Sequence, residues 1–390
     1  MKGLILIYLI TVVAALVALR RPKIGLYVYI CFSVLRPQSI WGWAGDLNSI
    51  SLLVGVALLV GWGMSGFGDW QIGRGKPIVT AFLVFAGWSA LSATQAVNTG
   101  RSFTAIVELS KILLPFLVGV TMLKDEKDWK PVLWTIVLAQ GYVGLEMNMN
   151  YVLKGYNSAV DGFGGMDNNC FGVSLVTVFG LAIALAMSTK KFSHRALAAA
   201  SAALILHTTM LTNSRGALMG LLAVGGTALI ILPKRPKYLI PFVLAAVLAV
   251  RFTGPELAAR YASAFVSGDS LDSSAESRLD LWADCLRVVQ SAPVLGLGPW
   301  NWRAVSSSFG WTQGKSAHSV WMETAAETGV PGVLALLSIF VLAGFKVWAI
   351  SRERLTDANR EEKAVAAGVI LSLVGFVVSG QFVSVTGLEA

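Results

Sequence analysis

Apolar residues occur along the chain in long, repeated runs, separated by short polar segments. The runs are about 17 to 22 residues long, which is the length an α-helix needs to cross a hydrocarbon core about 30 Å thick. Lipid cannot hydrogen-bond to backbone groups, so each run must satisfy its polar groups within its own helix. The pattern predicts an all-α polytopic membrane protein, a bundle of about twelve transmembrane helices. The predicted spans are 3–19, 24–40, 49–65, 77–95, 104–123, 131–150, 169–189, 196–212, 217–232, 238–252, 328–350 and 364–385.

One polar segment is far longer than the others and divides the chain. We expect N-terminal transmembrane helices over 1–252, a large loop outside the cytoplasm over 253–317, and C-terminal transmembrane helices over 318–390, all within one integral membrane domain. The loop is the only segment between spans with room for structure of its own.

The loop is predicted to contain a short amphipathic helix lying on the bundle. Ser273-Ser274-Ala275-Glu276 has the spacing of a helix capping box. The apolar stripe that should face the bundle is formed by Leu279, Trp282, Leu286 and Val289.

Composition and charge agree with a membrane protein. Hydrophobic residues make up 55% of the chain and charged residues 14%, which is far from the balance of a globular domain. The net charge of +9 would suggest nucleic-acid binding only if the basic residues shared one face. They gather instead in short loops between apolar runs, the distribution typical of cytoplasmic loops, so nucleic acid is not expected as a partner. These loops contain Arg20, Arg21 and Lys23; Arg74 and Lys76; Lys124, Lys127 and Lys130; Lys190, Lys191 and Arg195; Lys234, Arg235 and Lys237; and the stretch from Arg352 to Lys363.

The three cysteines are far apart and predict neither a disulfide nor a metal site. Cys31 and Cys170 lie in or at apolar segments, and Cys285 lies in the outer loop without an obvious partner. Glycine-rich nucleotide loops and paired histidine–cysteine spacings are absent from the sequence. We therefore expect no metal and no cofactor.

The three histidines occupy different surroundings. His194 lies in a basic loop, where solvation explains it, and His207 lies within a span, where it is either a hydrogen-bonded packing residue or a functional polar group. His318 is predicted to begin a helix capped by Ser316. The positive end of the helix dipole would keep the imidazole neutral, as a general base requires. The alternative is an ordinary interfacial histidine.

Arginines on the same side of the membrane suggest an anion. Arg215 sits between two apolar runs, where an arginine is costly unless it is paired or hydrated. It is either a side chain that reaches the interface or an anion ligand, since the guanidinium fork suits phosphate oxygens. Arg260, Arg278 and His318 map to the same side. Together they predict a site for a phosphorylated, membrane-embedded substrate.

Three motifs, in order, resemble the O-antigen ligase and O-antigen polymerase family. His318-Ser319, nine residues and then Gly329-Val330-Pro331-Gly332 is similar to the family's histidine motif, which ends in Gly-x-x-Gly. Asn213-Ser214-Arg215-Gly216 resembles its Ser-Arg-Gly segment, and the stretch from Ser277 to Gly298 resembles the loop that precedes the histidine. The resemblance covers roughly Met210 to Leu336. Because Trp282 stands where the family has leucine, either Arg278 or Arg260 could be the key loop arginine.

Two further segments resemble a narrower branch, the O-glycosylation ligases found beside exosortase systems. They are Gly162 to Asn169, and the opening stretch from Arg20-Arg21-Pro22 through Leu35-Arg36-Pro37.

The resemblance implies an inverting, metal-independent glycosyltransferase of the bacterial inner membrane, with its active site facing the periplasm. It would transfer a glycan from undecaprenyl diphosphate to a hydroxyl of a glycan, lipid or protein acceptor. Arg215 and Arg278, helped by Arg260, would neutralise the diphosphate and stabilise its departure. His318 would take the acceptor's proton. The lipid would enter sideways, through a groove between helices.

Other polar residues near the site receive weaker roles. Asp167, Asn168 and Asn169 would contact the sugar or the acceptor. Glu323 and Glu327 follow His318 on its helix and would either orient it or simply be solvated.

Three alternatives stay open at this stage. A polymerase would use the same donor with a second lipid-linked glycan as acceptor. A transporter or flippase of lipid-linked glycan or solute should show broken helices with polar residues near the membrane midplane. A purely structural scaffold would leave Arg215 without an explanation.

Overall fold

The computed structural model describes residues 2–41, 50–231, 273–354, 356 and 359–384. Within these ranges every regular element is a helix. The predicted span 238–252 and the first part of the predicted outer loop, which includes Arg260, lie outside the described residues. The helices are α1 (Lys2–Arg20), α2 (Pro22–Leu35), α3 (Pro37–Ile40), α4 (Ile50–Met64), α5 (Lys76–Ala93), α6 (Thr99–Met122), α7 (Glu126–Lys154), α8 (Asn168–Ser188), α9 (Phe192–Leu211), α10 (Arg215–Ile231), α11 (Ser273–Ser291), α12 (Trp302–Val305), α13 (Val320–Arg352) and α14 (Arg360–Ser379).

Five described segments are long and apolar enough to cross a membrane. Three shorter apolar helices accompany them, at Ile5–Arg20, Ile50–Met64 and Arg215–Ile231. The all-α membrane architecture is thus confirmed, while the number of about twelve spans stays a prediction. The five segments are Gly73–Ala93, Thr99–Met122, Asn168–Ser188, Val320–Arg352 and Arg360–Phe382.

Helix α8 lies at the centre of the bundle and packs against α9, α10 and α14. Small residues bring α8 and α14 close together: a Cβ atom placed on Gly180 would lie 2.8 Å from the carbonyl oxygen of Gly368. Within lipid, such small residues let helix backbones approach and gain van der Waals contact. The helix that carries Asp167 at its start is therefore held rigidly.

Ion pairs join the predicted cytoplasmic loops at one end of the bundle, here called the basic end. Lys23 pairs with Asp128 at 2.5 Å, and Lys124 pairs with Asp69 at 3.3 Å. Lys130 at the start of α7 pairs with Glu361 at the start of α14. These contacts connect loops that are distant in sequence, as expected if they share one side of the membrane.

At the opposite end, here called the site end, the segment before α6 packs against the loop between α11 and α12. The backbone N–H of Val97 donates to the carbonyl of Leu297 at 3.0 Å. The backbone N–H of Asn98 donates to Asn301 Oδ1 at 2.7 Å, and the Ser102 hydroxyl donates to the carbonyl of Pro299. The loop is therefore docked on the bundle.

Helix α11 confirms the predicted amphipathic helix, but the predicted buried stripe is wrong. Leu279 and Leu286 are exposed, and Trp282 is only partly buried. Two adjacent stripes have helical spacing in this sequence, and docking against Trp302 selects the one that includes a cysteine. The residues buried on α11 are Leu281, Asp284, Cys285 and Val288.

Helix α13 differs from its prediction at its N-cap and contains a break at Gly329. Its N-cap is Ser319, whose hydroxyl accepts the N–H of Met322, so the predicted Ser316 cap is wrong. Gly329 breaks the helix with φ 71° and ψ −177°, a conformation open essentially to glycine alone. A Cβ there would lie 2.2 Å from the carbonyl oxygen of Val294. Pro331 adds to the break because it has no N–H to donate.

Candidate active site

Three helices of the bundle begin side by side at the site end. Asp167 caps α8 by accepting the Cys170 N–H at 2.8 Å, and Ser214 accepts the Ala217 N–H at 3.2 Å in the first turn of α10. A Cβ on Gly172 would lie 2.7 Å from the Ala217 side chain, so α8 and α10 touch. The start of α13 joins them, since Cys170 belongs to one apolar cluster with Val320. Converging helix N-termini favour a negatively charged ligand.

Arg215 is the first residue of α10 and is half-buried. The chain reaches it through Asn213, which adopts a left-handed backbone conformation at φ 58°. This tight turn leaves Arg215 at the start of the helix. Its charge reaches Arg278 and is one cause of the lowered pKa of that residue. The structure thus brings these two predicted arginines together.

Arg278 lies near the start of α11, one turn before Trp282. The indole N–H of Trp282 donates to the carbonyl of Ala317 at 3.1 Å, which ties α11 to the residue preceding His318. Burial is the main cause that lowers the pKa of Arg278, and the nearby charge of Arg215 adds to it, while Asp167 opposes both. A desolvated guanidinium beside a second one attracts a multiply charged anion.

His318 immediately precedes the cap of α13 and has a left-handed backbone, with φ 51°. The backbone N–H of His318 donates to the Ser384 hydroxyl at 3.0 Å, and the ring Nε2 lies 3.2 Å from the Ser316 hydroxyl. Uncommon backbone conformations held by specific bonds cluster at functional sites. Both bonds and the conformation fix where the imidazole stands.

The imidazole of His318 is neutral near pH 7. Burial lowers its pKa to about 4, and the charges of Arg278, Lys315 and Arg303 contribute, while Asp167 acts in the opposite direction. The helix dipole was the predicted cause of neutrality. Burial and the surrounding cations lower the pKa of His318 in the structure, and the contribution of the helix dipole stays a prediction.

Asp167, Asn168 and Asn169 all lie beside these residues, but their hydrogen bonds are internal. The Asn168 amide donates to the carbonyl of Thr212 at 2.9 Å, and Asn169 Oδ1 accepts from the Ser214 hydroxyl at 2.9 Å. The two asparagines therefore join the start of α8 to the α9–α10 turn. Their contact with a sugar or acceptor stays a prediction, as does that of Asp167.

The two glutamates of α13 are buried, so a solvated role for them is wrong. Glu323 is 0% exposed and Glu327 is 3% exposed. The carboxylate of Glu327 accepts the backbone N–H groups of Trp300 and Trp302, both at 2.9 Å. The docked loop covers this part of the helix, which the sequence alone does not show.

Arg303, Lys315 and Ser384 belong to the site but were missed as site residues by the sequence analysis. The two cations act on His318 electrostatically, and Ser384 holds its backbone. Their position in the outer loop was the only signal for the two cations. Ser384 lies far along the chain, after α14, and no local pattern marks it.

An apolar cavity of about 540 Å³ lies beside the start of α13. Val320 and Thr324 line it next to the site, and Phe82 and Phe340 line it within the bundle. Trp300 of the docked loop also borders it. The cavity combines a largely apolar surface with a few polar groups, among them Thr324, Glu327 and Thr328.

Residues 200–337 match the family described as O-antigen ligase. Residues 1–185 match a family of unknown function (DUF5935). No curated protein is similar enough to the chain to count as a match. The first matched segment contains Arg215, Arg278, Arg303 and His318, so these four residues lie in the part of this helical membrane protein that is similar to O-antigen ligases.

Proposed function

We propose that the chain is an inverting, metal-independent glycosyltransferase. It transfers a glycan from undecaprenyl diphosphate to an acceptor hydroxyl at the periplasmic face of the bacterial inner membrane. The observation that carries this proposal is a half-buried, neutral His318 within electrostatic reach of Arg278, which in turn lies within reach of Arg215; all three belong to the segment that matches O-antigen ligases.

The arginines serve the leaving group. As the bond between the anomeric carbon and the phosphate oxygen breaks, negative charge grows on the diphosphate. Arg215 and Arg278 offer charge-assisted hydrogen bonds to that charge, and the helix N-termini add backbone dipoles. Groups already in place before the reaction need no reorganisation while it proceeds. Arg260 stays a predicted additional ligand of the diphosphate.

The histidine serves the acceptor. The acceptor oxygen forms the new bond to the anomeric carbon from the side opposite the diphosphate, so the configuration at that carbon inverts. The hydroxyl proton goes to the imidazole of His318, which is neutral and able to accept it. The diphosphate leaves with the electron pair of the broken bond.

The apolar cavity supports a polyprenyl donor. Its wall of aromatic and aliphatic side chains, including Phe82, Phe85 and Ile339, suits an isoprenoid chain, and it reaches Val320, two residues after His318. Burial of each methylene group of such a chain contributes about 0.8 kcal/mol. The diphosphate at the end of the chain would then stand among the arginines.

The break in α13 bears on the transporter alternative. Discontinuous helices mark ion and substrate sites in transporters. Here the backbone N–H of Val330, which the break frees, donates to the carbonyl of Pro293 in the docked loop. The Glu327 carboxylate, just before the break, binds the same loop. The break thus anchors the loop, which favours chemistry at the membrane surface over passage through the bundle.

The narrower exosortase-associated assignment stays a prediction. The segments that carry it, Arg20–Pro37 and Gly162–Asn169, fall within the match to the family of unknown function. They meet in the structure, because Arg36 packs against Gly164. Ligase and polymerase differ only in their acceptor, so the choice between them depends on which acceptor is used.

The test is transfer from purified undecaprenyl-diphosphate glycan by the full chain in detergent. We expect wild type to release undecaprenyl diphosphate and form product, and His318→Ala and Arg215→Ala to lose transfer while inserting into membranes normally. Turnover by both variants at the wild-type rate would show that the site is wrong. No turnover by wild type with glycan, lipid or protein acceptors would favour the transporter alternative.

A further inference from the structure

A buried carboxylate fixes the short segment that carries Arg303. Glu327 accepts the N–H of Trp300 with Oε2 and the N–H of Trp302 with Oε1, both at 2.9 Å. Its backbone carbonyl also accepts the Gly298 N–H at 2.8 Å. Hydrogen bonds to a charged acceptor are stronger than those between neutral groups. Helix α13 therefore sets the position of the segment from Gly298 to Trp302.

The residue before Arg303 is anchored from a second side. Trp302 is fully buried and packs in one cluster with Leu281, Ala326 and Ala317, the neighbour of His318. The backbone before it turns through a left-handed conformation at Trp300, with φ 60°. Arg303 thus follows a residue that is locked by packing and by hydrogen bonds, and its backbone has little freedom.

The side chain of Arg303 lacks the partner that such an arginine normally has. Its Nε is buried, and among the described residues this nitrogen has no hydrogen-bond partner and the guanidinium no salt bridge. Its charge lowers the pKa of His318, so the two groups lie within electrostatic reach. Buried donors are almost always satisfied, and an exception calls for an explanation.

Another arginine of the same region shows the contrast. Arg287 on α11 is largely exposed, and its Nη1 lies 2.6 Å from Asp284 Oδ1. Asp284 in turn accepts the indole N–H of Trp311 at 2.8 Å. Arg287 therefore has a structural partner, whereas Arg303 lies within electrostatic reach of His318 and has a buried Nε without a hydrogen-bond partner among the described residues.

We propose that Arg303 is a further substrate-contacting residue, which binds an oxyanion, phosphate or carboxylate, beside His318. Glu327 is the positioning residue that holds the Arg303 segment in place. This inference rests on the proposed function for the identity of the substrate. The oxyanion comes either from the donor diphosphate or from an anionic group of the acceptor.

The first measurement is binding of inorganic pyrophosphate to the full-length protein in lipid nanodiscs by calorimetry. We expect Arg303→Gln to weaken the affinity at least tenfold, with Arg303→Lys between it and wild type because lysine keeps the charge but loses the fork. Arg101→Gln is the matched control, since Arg101 is an exposed arginine at the same end of the bundle. Equal affinity in wild type and Arg303→Gln would count against a donor-side contact.

The second measurement separates the two sources of the oxyanion. In the transfer assay, a rise of KM for the lipid-linked donor in Arg303→Gln assigns the contact to the diphosphate. A rise of KM for the acceptor alone assigns it to an anionic group of the acceptor. Unchanged pyrophosphate affinity together with two unchanged KM values overturns the proposal.

Glu327→Gln tests the positioning role. The amide keeps the volume but replaces one of the two accepting oxygens with a donor, so we expect the same KM to rise as in Arg303→Gln. The unfolding temperature serves as the structural readout. A fall in that temperature with unchanged KM would show that Glu327 only stabilises the fold. If wild type transfers no glycan but its pyrophosphate affinity still depends on Arg303, the anion site stands and the proposed function fails.

Discussion

The two ends of the bundle use cationic side chains in opposite ways. At the basic end, Lys23, Lys124 and Lys130 each pair with a carboxylate from another part of the chain. At the site end, Arg278 and Arg303 have no salt bridge among the described residues, and the charges of both lower the pKa of His318. Paired cations hold loops together, whereas clustered cations that outnumber nearby carboxylates such as Asp167 create a positive potential that attracts an anion.

The basic residues of the chain therefore fall into two unrelated groups. One group lies in the predicted cytoplasmic loops and includes Lys23, Lys124 and Lys130, which are paired with carboxylates. The other group is small and consists of a few residues around His318, whose burial makes each charge more effective. Counting basic residues cannot separate the two, but their partners can.

The largest difference between the ends should appear when one cation is removed from each. We expect Arg278→Ala to lower the transfer rate by about 10²- to 10³-fold, the usual loss when one preorganised donor to a developing charge is removed. Lys124→Ala at the basic end should leave the rate within about twofold, since its partner Asp69 is exposed. Initial rates with purified donor measure both. Similar losses in the two variants would contradict the assigned roles.

The acid limb of the pH profile gives a second comparison. His318 must be neutral to accept a proton, and its pKa is lowered to about 4, so kcat/KM should fall only as the pH drops through about 4. A bound diphosphate offsets the surrounding cations and raises this pKa. The limb in kcat should therefore lie at higher pH than the limb in kcat/KM.

The matched variant for this comparison is Lys315→Met, which removes one of the cations that lower the pKa of His318. Its kcat/KM limb should move upward in pH. The measurement is the pH dependence of kcat and kcat/KM from pH 3.5 to 8 for wild type and Lys315→Met. If the acid limbs of kcat and kcat/KM lay at the same pH, donor binding would not change the pKa of His318.

The smallest effect is expected from Lys130→Met. The substitution removes the ion pairs with Glu126 and Glu361. Partly exposed pairs of this kind contribute about 1 kcal/mol or less each, so the unfolding temperature should fall slightly and transfer should not change. Thermal unfolding in detergent at low and high salt measures this. High salt screens the two Lys130 pairs in wild type, so the difference in unfolding temperature between wild type and the variant should shrink. Lost transfer would show that the basic end communicates with the site.

The sequence predicted most of the described helices, because each long apolar run has only one structure compatible with lipid. Arg215, Arg278 and His318 were also predicted from the sequence, through their motif order; the structure places them near one another, and their roles stay predictions. The face of α11 was not, since Leu279 and Leu281 begin two equally spaced stripes and only docking selects one. Tertiary contacts of this kind carry no local signal.

The same limit explains the other differences. Glu327 looked like a solvated helix residue, because the loop that buries it lies 25 residues earlier in the chain. Ser384 binds the backbone of His318 across 66 residues. Such contacts depend on the arrangement of whole helices. The DUF5935 region, 1–185, supplies Asp167 to the site, although its family description suggests no such role.

The glycine break in α13 has a mechanical consequence. An unbroken helix of 33 residues would be about 50 Å long, well beyond a hydrocarbon core of about 30 Å. Gly329 leaves the part from 330 to 352 to match the bilayer, at about 34 Å, while the first turns follow the loop bound by Glu327. Changes in bilayer thickness tilt membrane helices. We expect the longer part to tilt while His318 keeps its place, which would insulate the proposed chemistry from the thickness of the membrane around it.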